Sequence, residues 1–135
     1  MNATLTALTG FIAWTLFLLI LMEVIRSGLV IKKSVAVNAF RPDNANLSPF
    51  MQRLARAHAN CLEGLPIFGG LMLVAALSGN AAVTDPLAYM LLAARVVQSL
   101  VHLASLSVLA VNIRFIAFAV QTGIAVYWTF LLLAR

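Results

Sequence analysis

The chain has 135 residues, of which 63% are hydrophobic and 10% are charged. Soluble domains have about 45–50% apolar and about 25% charged residues, so this composition excludes an ordinary soluble domain and a disordered tail. A membrane-spanning helix needs about 20 residues, and four such helices with short loops would use nearly the whole chain. We therefore predict an all-α integral membrane protein with a single four-transmembrane-helix bundle domain over residues 1–135.

The first two predicted spans are separated by a polar loop. The first span covers residues 5–31 and is apolar except for Glu23, Arg26 and a few small polar side chains. The loop contains the turn-forming segment Arg-Pro-Asp-Asn at residues 41–44. The second span covers residues 50–79, begins with polar turns, and is ended by a Ser-Gly-Asn segment.

Only a short break separates the third predicted span from the fourth. Asp85 is the expected N-cap and Pro86 the expected first residue of the third helix, which covers residues 86–109. A short break separates it from the fourth span over residues 113–134, which has no charged residue after Arg114.

Charge predicts how the helices are oriented in the membrane. The nine Lys and Arg residues outnumber the four Asp and Glu residues, which gives a net charge of +5. The first and third connections carry basic residues and the second carries none, so the positive-inside rule predicts that loops 1–2 and 3–4 are cytoplasmic. On this interpretation the basic charge reflects membrane topology and not a nucleic-acid partner. We also expect no cleavable signal peptide, since the first apolar run is too long.

Two stripes of polar residues are the strongest functional signal. Spacings of three, four and three place one stripe on a single face of the second helix: Arg53, Arg56, Asn60 and Glu63. Spacings of three and four form the other stripe on the third helix: Arg95, Gln98 and His102. Polar groups at membrane depth usually face the protein interior. The stripes therefore predict one cation-rich pocket that suits a small anionic ligand with carboxylates.

Several of these residues have a purely structural alternative. Arg53 and Arg56 could be interfacial anchors at the end of a span. Depth counting favours a structural ion pair between Glu23 and Arg95, although Glu63 could also balance Arg95. Packing is the expected role of the remaining candidates, His58 and Cys61. The sequence contains no cluster with metal-ligand spacing, so we predict no metal site.

The segment from Arg53 to Phe68 resembles a family signature. The pattern R-A-H-x-N-x-x-E-x-x-P-x-F is that of the MAPEG family, the membrane-associated proteins in eicosanoid and glutathione metabolism. All seven specified positions are present: Arg56, Ala57, His58, Asn60, Glu63, Pro66 and Phe68. The segments 38–42 and 112–114 also resemble the first-loop motif and the start of the fourth helix in this family.

The resemblance implies a homotrimer that binds glutathione between neighbouring subunits near the cytoplasmic face. It implies that Glu63 binds the amino group of glutathione and that Arg114 stabilises its thiolate. Gln98 and His102 stand where many members have tyrosines, which argues against a dedicated eicosanoid synthase. We predict Arg114 as the catalytic residue and the following residues as the glutathione-binding set: Arg53, Arg56, Asn60, Glu63, Gln98 and His102.

The predicted function is a membrane-bound glutathione transferase for detoxification, with glutathione as cosubstrate. Its second substrate would be a lipophilic electrophile or a lipid hydroperoxide that arrives from the membrane lipid, and its location a bacterial inner membrane. One alternative is a small multidrug-type transporter that uses Glu23. Another is a MAPEG-like protein that binds glutathione or lipid without turnover.

Overall fold

The computed structural model describes all 135 residues, and its only regular secondary structure is helical. It contains four long helices: α1 (Ala3–Ile31), α2 (Pro49–Leu77), α3 (Ala81–Ala104) and α4 (Val108–Leu133). Each helix is long and apolar enough to cross a membrane. The predicted class, an all-α multi-pass membrane protein with four spans, is confirmed.

Short polar side chains cap three of the four helix starts. The side chain of Asn2 accepts the backbone N–H of Leu5 at 2.9 Å at the start of α1. Ser48 caps α2, with Pro49 at its first position, and Ser107 caps α4. These caps satisfy backbone N–H groups that have no partner inside their own helix.

The start of α3 differs from the prediction. The helix begins at Ala81, so Pro86 lies inside it and Asp85 is not its N-cap. Asp85 instead accepts the backbone N–H of Thr4 at 2.9 Å, and also the Thr4 hydroxyl. The carboxylate therefore accepts a hydrogen bond from the first turn of α1. The position of Asp85 within α3 could not predict this role.

The break between α3 and α4 also lies earlier than predicted. α3 ends at Ala104 instead of residue 109, and α4 begins at Val108 instead of residue 113. The physical reason is the Ser-Leu-Ser segment at 105–107, in which Ser107 accepts the N–H of Ala110 at 3.2 Å. Because Ser107 already caps the helix, the backbone is helical from Val108 and continues without a break through Asn112, directly before the residue at which the fourth helix was predicted to begin.

Two groups of buried apolar residues form the interior. One involves all four helices and contains nine residues: Ala7, Phe11, Phe68, Met72, Ala88, Leu91, Ile124, Ala125 and Trp128. The other lies between α1 and the first half of α2 and contains seven: Leu18, Met22, Met51, Leu54, Ala55, Ala57 and Cys61. Many large apolar side chains remain exposed on the outside of the bundle, as a lipid-facing surface requires.

The loop between α1 and α2 is anchored by one buried amide. Asn44 is fully buried, accepts a hydrogen bond from Nε of Arg26 at 3.1 Å, and donates to the carbonyl of Met51 at 2.7 Å. Arg26 also donates to the carbonyl of Arg41 at 3.0 Å. These bonds hold the loop against α1 and fix the position at which α2 begins.

Candidate functional site

A cavity of about 840 Å³ lies between α2, α3 and α4. Four polar side chains line one part of it: Asn60, Glu63, Arg95 and Gln98. Its remaining wall is mainly apolar and includes Ile67, Phe118, Val126, Phe130 and Leu133. The cavity can therefore accept a polar group at one end and an apolar group along α4, an arrangement typical of ligand sites.

Arg95 forms the floor of the polar part. Its side chain is almost fully buried, and its Nε donates to Oε1 of Gln121 at 2.9 Å. The guanidinium lies over the rings of Phe11 and Phe68, with Cζ 5.5 Å and 5.9 Å from the two ring centroids. These cation–π contacts stabilise a charge that would otherwise be costly at membrane depth.

The backbone of α2 approaches Arg95 closely at one glycine. A Cβ atom at Gly64 would lie 2.9 Å from Nη2 of Arg95 and 3.1 Å from the Phe68 ring. Directly after Gly64, α2 contains a π-helical segment, Leu65–Gly69. π-Helical turns inside α-helices often occur at functional sites, and this one contributes part of the cavity wall.

Gln121 is the site residue that sequence reasoning missed. It is fully buried, and its Nε2 donates to Oε1 of Gln98 at 2.8 Å and to the carbonyl of Ala117 at 3.0 Å. It therefore links Gln98 on α3 to Arg95 through one side chain on α4. The sequence did contain a signal for this residue, since Gln121 is a lone amide within an otherwise apolar span. Such polar groups usually have a partner inside the bundle.

The prediction of an ion pair between Glu23 and Arg95 is wrong. Glu23 is paired with Arg26, one turn away on the same helix, at 3.4 Å. Arg95 lies level with Phe11, which is twelve residues from Glu23, or about 18 Å along α1 at 1.5 Å per residue. Glu63 lines the same cavity as Arg95, but the structure forms no ion pair between them within 4.0 Å.

A second group of polar residues lies where α2 and α4 begin. Nδ2 of Asn60 is 3.4 Å from Nδ1 of His102, which joins the two predicted stripes. Three arginines lie close enough to act electrostatically on the His102 ring: Arg53, Arg56 and Arg114. Arg53 also donates from Nε to the carbonyl of Leu103 at 2.9 Å, which ties α2 to the end of α3.

This group has unused hydrogen-bond donors. Nε of Arg114 is buried without a partner, and so is Nε2 of His102. Arg56 is exposed, whereas Arg53 and Arg114 are half-buried. Positive charge with free N–H groups can hold carboxylates, and a nearby cation lowers the pKa of a thiol.

The two remaining candidates on α2 differ in their surroundings. Cys61 is fully buried, with its Sγ 3.2 Å from Oγ of Ser99, and belongs to the interior as predicted. His58 is half-buried and does not line the cavity.

Fold and cavity together define a multi-pass four-helix membrane protein with a polar site inside the bundle. The model of the MAPEG family matches residues 4–134, and the chain belongs to this family of membrane-associated proteins in eicosanoid and glutathione metabolism. No curated protein and no solved structure matches the chain.

Proposed function

We propose that the protein is a glutathione transferase that joins glutathione to lipophilic electrophiles, with reduction of lipid hydroperoxides as a second activity. One observation carries the proposal. A single cavity combines the polar residues Asn60, Glu63 and Arg95 with an apolar wall on α4. A hydrophilic thiol and a lipophilic partner can therefore meet there, and membership of the MAPEG family supports the same class of chemistry.

Each residue has a specific task in this proposal. Glu63 accepts hydrogen bonds from the ammonium group of glutathione, and Asn60 bonds to its peptide groups. Arg53 and Arg56 bind its glycine carboxylate, and Gln98 and His102 complete the polar wall. We assign Arg114 to the thiolate, because its buried Nε has no other partner.

The reaction needs only a thiolate, an electrophile and exclusion of water. The cationic group lowers the pKa of the thiol, and the proton is released to solvent. The sulfur then attacks the electrophilic carbon, an S–C bond forms, and the leaving group departs with the bonding electron pair. The lipophilic substrate would reach the sulfur from the bilayer along Phe118, Val126 and Phe130, which line the cavity.

The proposal includes an assembly and a location. We expect a homotrimer with glutathione bound between subunits, in a bacterial inner membrane with loops 1–2 and 3–4 in the cytoplasm. Large apolar side chains are exposed on all four helices, which is compatible with contact to lipid and to neighbouring copies. Glu23, the residue that the transporter alternative would use, lies outside the cavity and 3.4 Å from Arg26 on the same helix.

Two measurements on purified protein test the proposal. Calorimetric titration with glutathione should give saturable binding, and a chlorodinitrobenzene should yield its glutathione conjugate faster than in the protein-free mixture. Ophthalmic acid, which has a methyl group in place of the thiol, should bind without turnover. Binding without conjugation across a panel of electrophiles would support the non-catalytic alternative, and absence of binding would overturn the proposal.

A further inference from the structure

Asn44 in the first loop uses every hydrogen-bonding group it has. It is fully buried, and its backbone has a left-handed conformation with a φ of 56°. Its N–H donates to the carbonyl of Arg41 at 3.0 Å, and its carbonyl accepts the N–H of Leu47 at 2.9 Å. Its Oδ1 accepts from Arg26, and its Nδ2 donates to the carbonyl of Met51 at 2.7 Å. One loop residue therefore joins α1 to the first turn of α2.

The type of residue at this position suits both of its partners. Glycine, asparagine and aspartate adopt the left-handed conformation most readily. Aspartate would contact Arg26 more strongly because it is charged, but it could not donate to the carbonyl of Met51. Glycine would keep the loop conformation and lose both contacts. Of these three, only asparagine holds the loop and also links the two helices.

Arg26, the partner of Asn44 on α1, is held in place by further contacts. Its Nη2 also donates to the carbonyl of Arg41 at 3.0 Å, and its Cζ lies 5.4 Å from the centroid of the Phe40 ring. Its Nη1 is 3.4 Å from the carboxylate of Glu23. The side chain that holds Asn44 is therefore itself fixed by α1 and by the loop.

The turns of α2 that follow this contact carry two cations. Arg53 and Arg56 are neighbours on one face of the helix, and like charges so placed destabilise it. The first turn of α2 has no acidic residue to offset them. Arg53 donates to the carbonyl of Leu103 at 2.9 Å, so α2 is tied to α3 there and to the loop by Asn44. Arg56 is exposed and forms no ion pair, so the backbone of α2 decides where its guanidinium can reach.

We propose that Arg26 and Asn44 are positioning residues, which hold Met51 and thereby place Arg53 and Arg56 to bind the glycine carboxylate of glutathione. The inference rests on the proposed function, in which these two arginines bind that carboxylate. Neither positioning residue touches the ligand. Cations that are already in place bind an anion without first losing conformational freedom, so the contacts of Asn44 contribute to affinity at this one end of the ligand.

The test compares glutathione with its glycine monoethyl ester, in which the glycine carboxylate is neutral. Both affinities are measured by calorimetric titration for the wild type, Asn44→Gly, Asn44→Asp and Arg56→Gln, at a temperature at which circular dichroism shows each variant folded. Asn46→Gly is the matched control, because Asn46 is exposed in the same loop and donates to the carbonyl of Ala39 within that loop. The ratio of the two affinities is the readout, since a general loss of stability does not change which end of the ligand is recognised.

The wild-type protein and Asn46→Gly should bind glutathione about tenfold or more tightly than the ester, as expected for a charge-assisted contact. Asn44→Gly loses both side-chain contacts, and Asn44→Asp keeps Arg26 but loses Met51. In both variants the preference should fall to about threefold or less, because the arginines are no longer held in place. Asn44→Gly should lower the preference less in the Arg56→Gln background than in the wild type, because coupled residues are not additive.

If either Asn44 variant prefers glutathione as strongly as the wild type does, the inference is overturned, whatever the unfolding temperature of the variant. Should Asn44→Gly not fold, Asn44→Asp decides the question alone, because it keeps its contact with Arg26. A wild-type protein that binds both ligands equally would also overturn the inference, while glutathione binding stands. If the wild-type protein does not bind glutathione at all, the proposed function fails and the inference fails with it.

Discussion

Arg95 on α3 donates a hydrogen bond to Gln121 on α4 at 2.9 Å, deep inside the bundle. The same amide donates to Gln98, so one side chain connects both polar positions of α3 that face the cavity. The buried cation contacts a neutral acceptor and two aromatic rings instead of an acid, and its Nη1 has no hydrogen-bond partner.

Replacing Gln121 by alanine should destabilise the protein. The change removes the acceptor of Nε of Arg95 and leaves this charged donor buried without a partner, at a cost of about 1.5–3 kcal/mol. Thermal unfolding in detergent, followed by circular dichroism, measures the effect. The control is Tyr127→Phe on the exposed side of α4, which should leave the unfolding temperature unchanged. Equal unfolding temperatures for Gln121→Ala and the wild type would contradict the structure.

Adding a methyl group at Gly64 should disturb the site. A Cβ there would lie 2.9 Å from Nη2 of Arg95 and 3.1 Å from the Phe68 ring, so these groups must move. We expect Gly64→Ala to cost about 1–3 kcal/mol of stability and to weaken glutathione binding. Gly70→Ala is the matched control, since nothing lies within 4 Å of its added Cβ. It should be neutral or stabilising by up to about 1 kcal/mol. If Gly64→Ala and Gly70→Ala have the same unfolding temperature and the same affinity for glutathione, the contact between Gly64 and Arg95 is absent.

Asp85 should stabilise α1 although it belongs to α3. Its carboxylate accepts the N–H of Thr4, so Asp85→Ala removes a helix-capping acceptor and should cost about 1 kcal/mol. Asp85→Asn keeps an acceptor oxygen and should lose less. Hydrogen exchange at the first turn of α1 distinguishes this role from capping of α3. Faster exchange confined to the start of α3 would instead restore Asp85 as a cap of its own helix.

Arg114→Leu should slow conjugation by changing the thiol of bound glutathione. Without the guanidinium the thiol pKa should rise by about one to two units, which lowers the thiolate fraction at neutral pH about tenfold or more. Affinity for glutathione should stay within roughly tenfold, because other residues bind the carboxylates. Thiolate absorbance in the ultraviolet, titrated against pH, measures the shift, and Arg41→Leu is the control. Coincident titration curves would exclude Arg114 and direct attention to His102 or Arg53.

The assembly can be measured directly. A single chain has a mass of 14.5 kDa and exposes large apolar residues along all four helices. We expect a homotrimer, so native mass spectrometry from detergent should give three times the mass of one chain. A stable monomer or dimer that binds glutathione with full affinity would show that the site is complete within fewer subunits.

Much of the site could be predicted from residue spacing alone. Asn60 and His102 are in contact, and the charges of Arg53, Arg56 and Arg114 all act on this histidine. Spacings of three and four place side chains on one face of a helix whatever surrounds it. The stripe on α3 faces the interior of the bundle as predicted, since Arg95, Gln98 and His102 are buried, whereas Arg56 and Glu63 of the stripe on α2 are exposed.

The four spans, the two polar stripes and the family resemblance can be predicted from the amino-acid sequence, because these depend on local periodicity, composition and motif spacing. Which residues meet across helices is visible only in the folded chain. Arg95 contacts Phe11 and Gln121, and Asp85 caps α1, because the register between helices depends on where each helix begins. α3 begins five residues earlier than its Asp-Pro segment predicts, and α2 contains a π-helical segment at Leu65–Gly69. Both features change which residues lie at the same depth, and residue counting along single helices cannot detect either one.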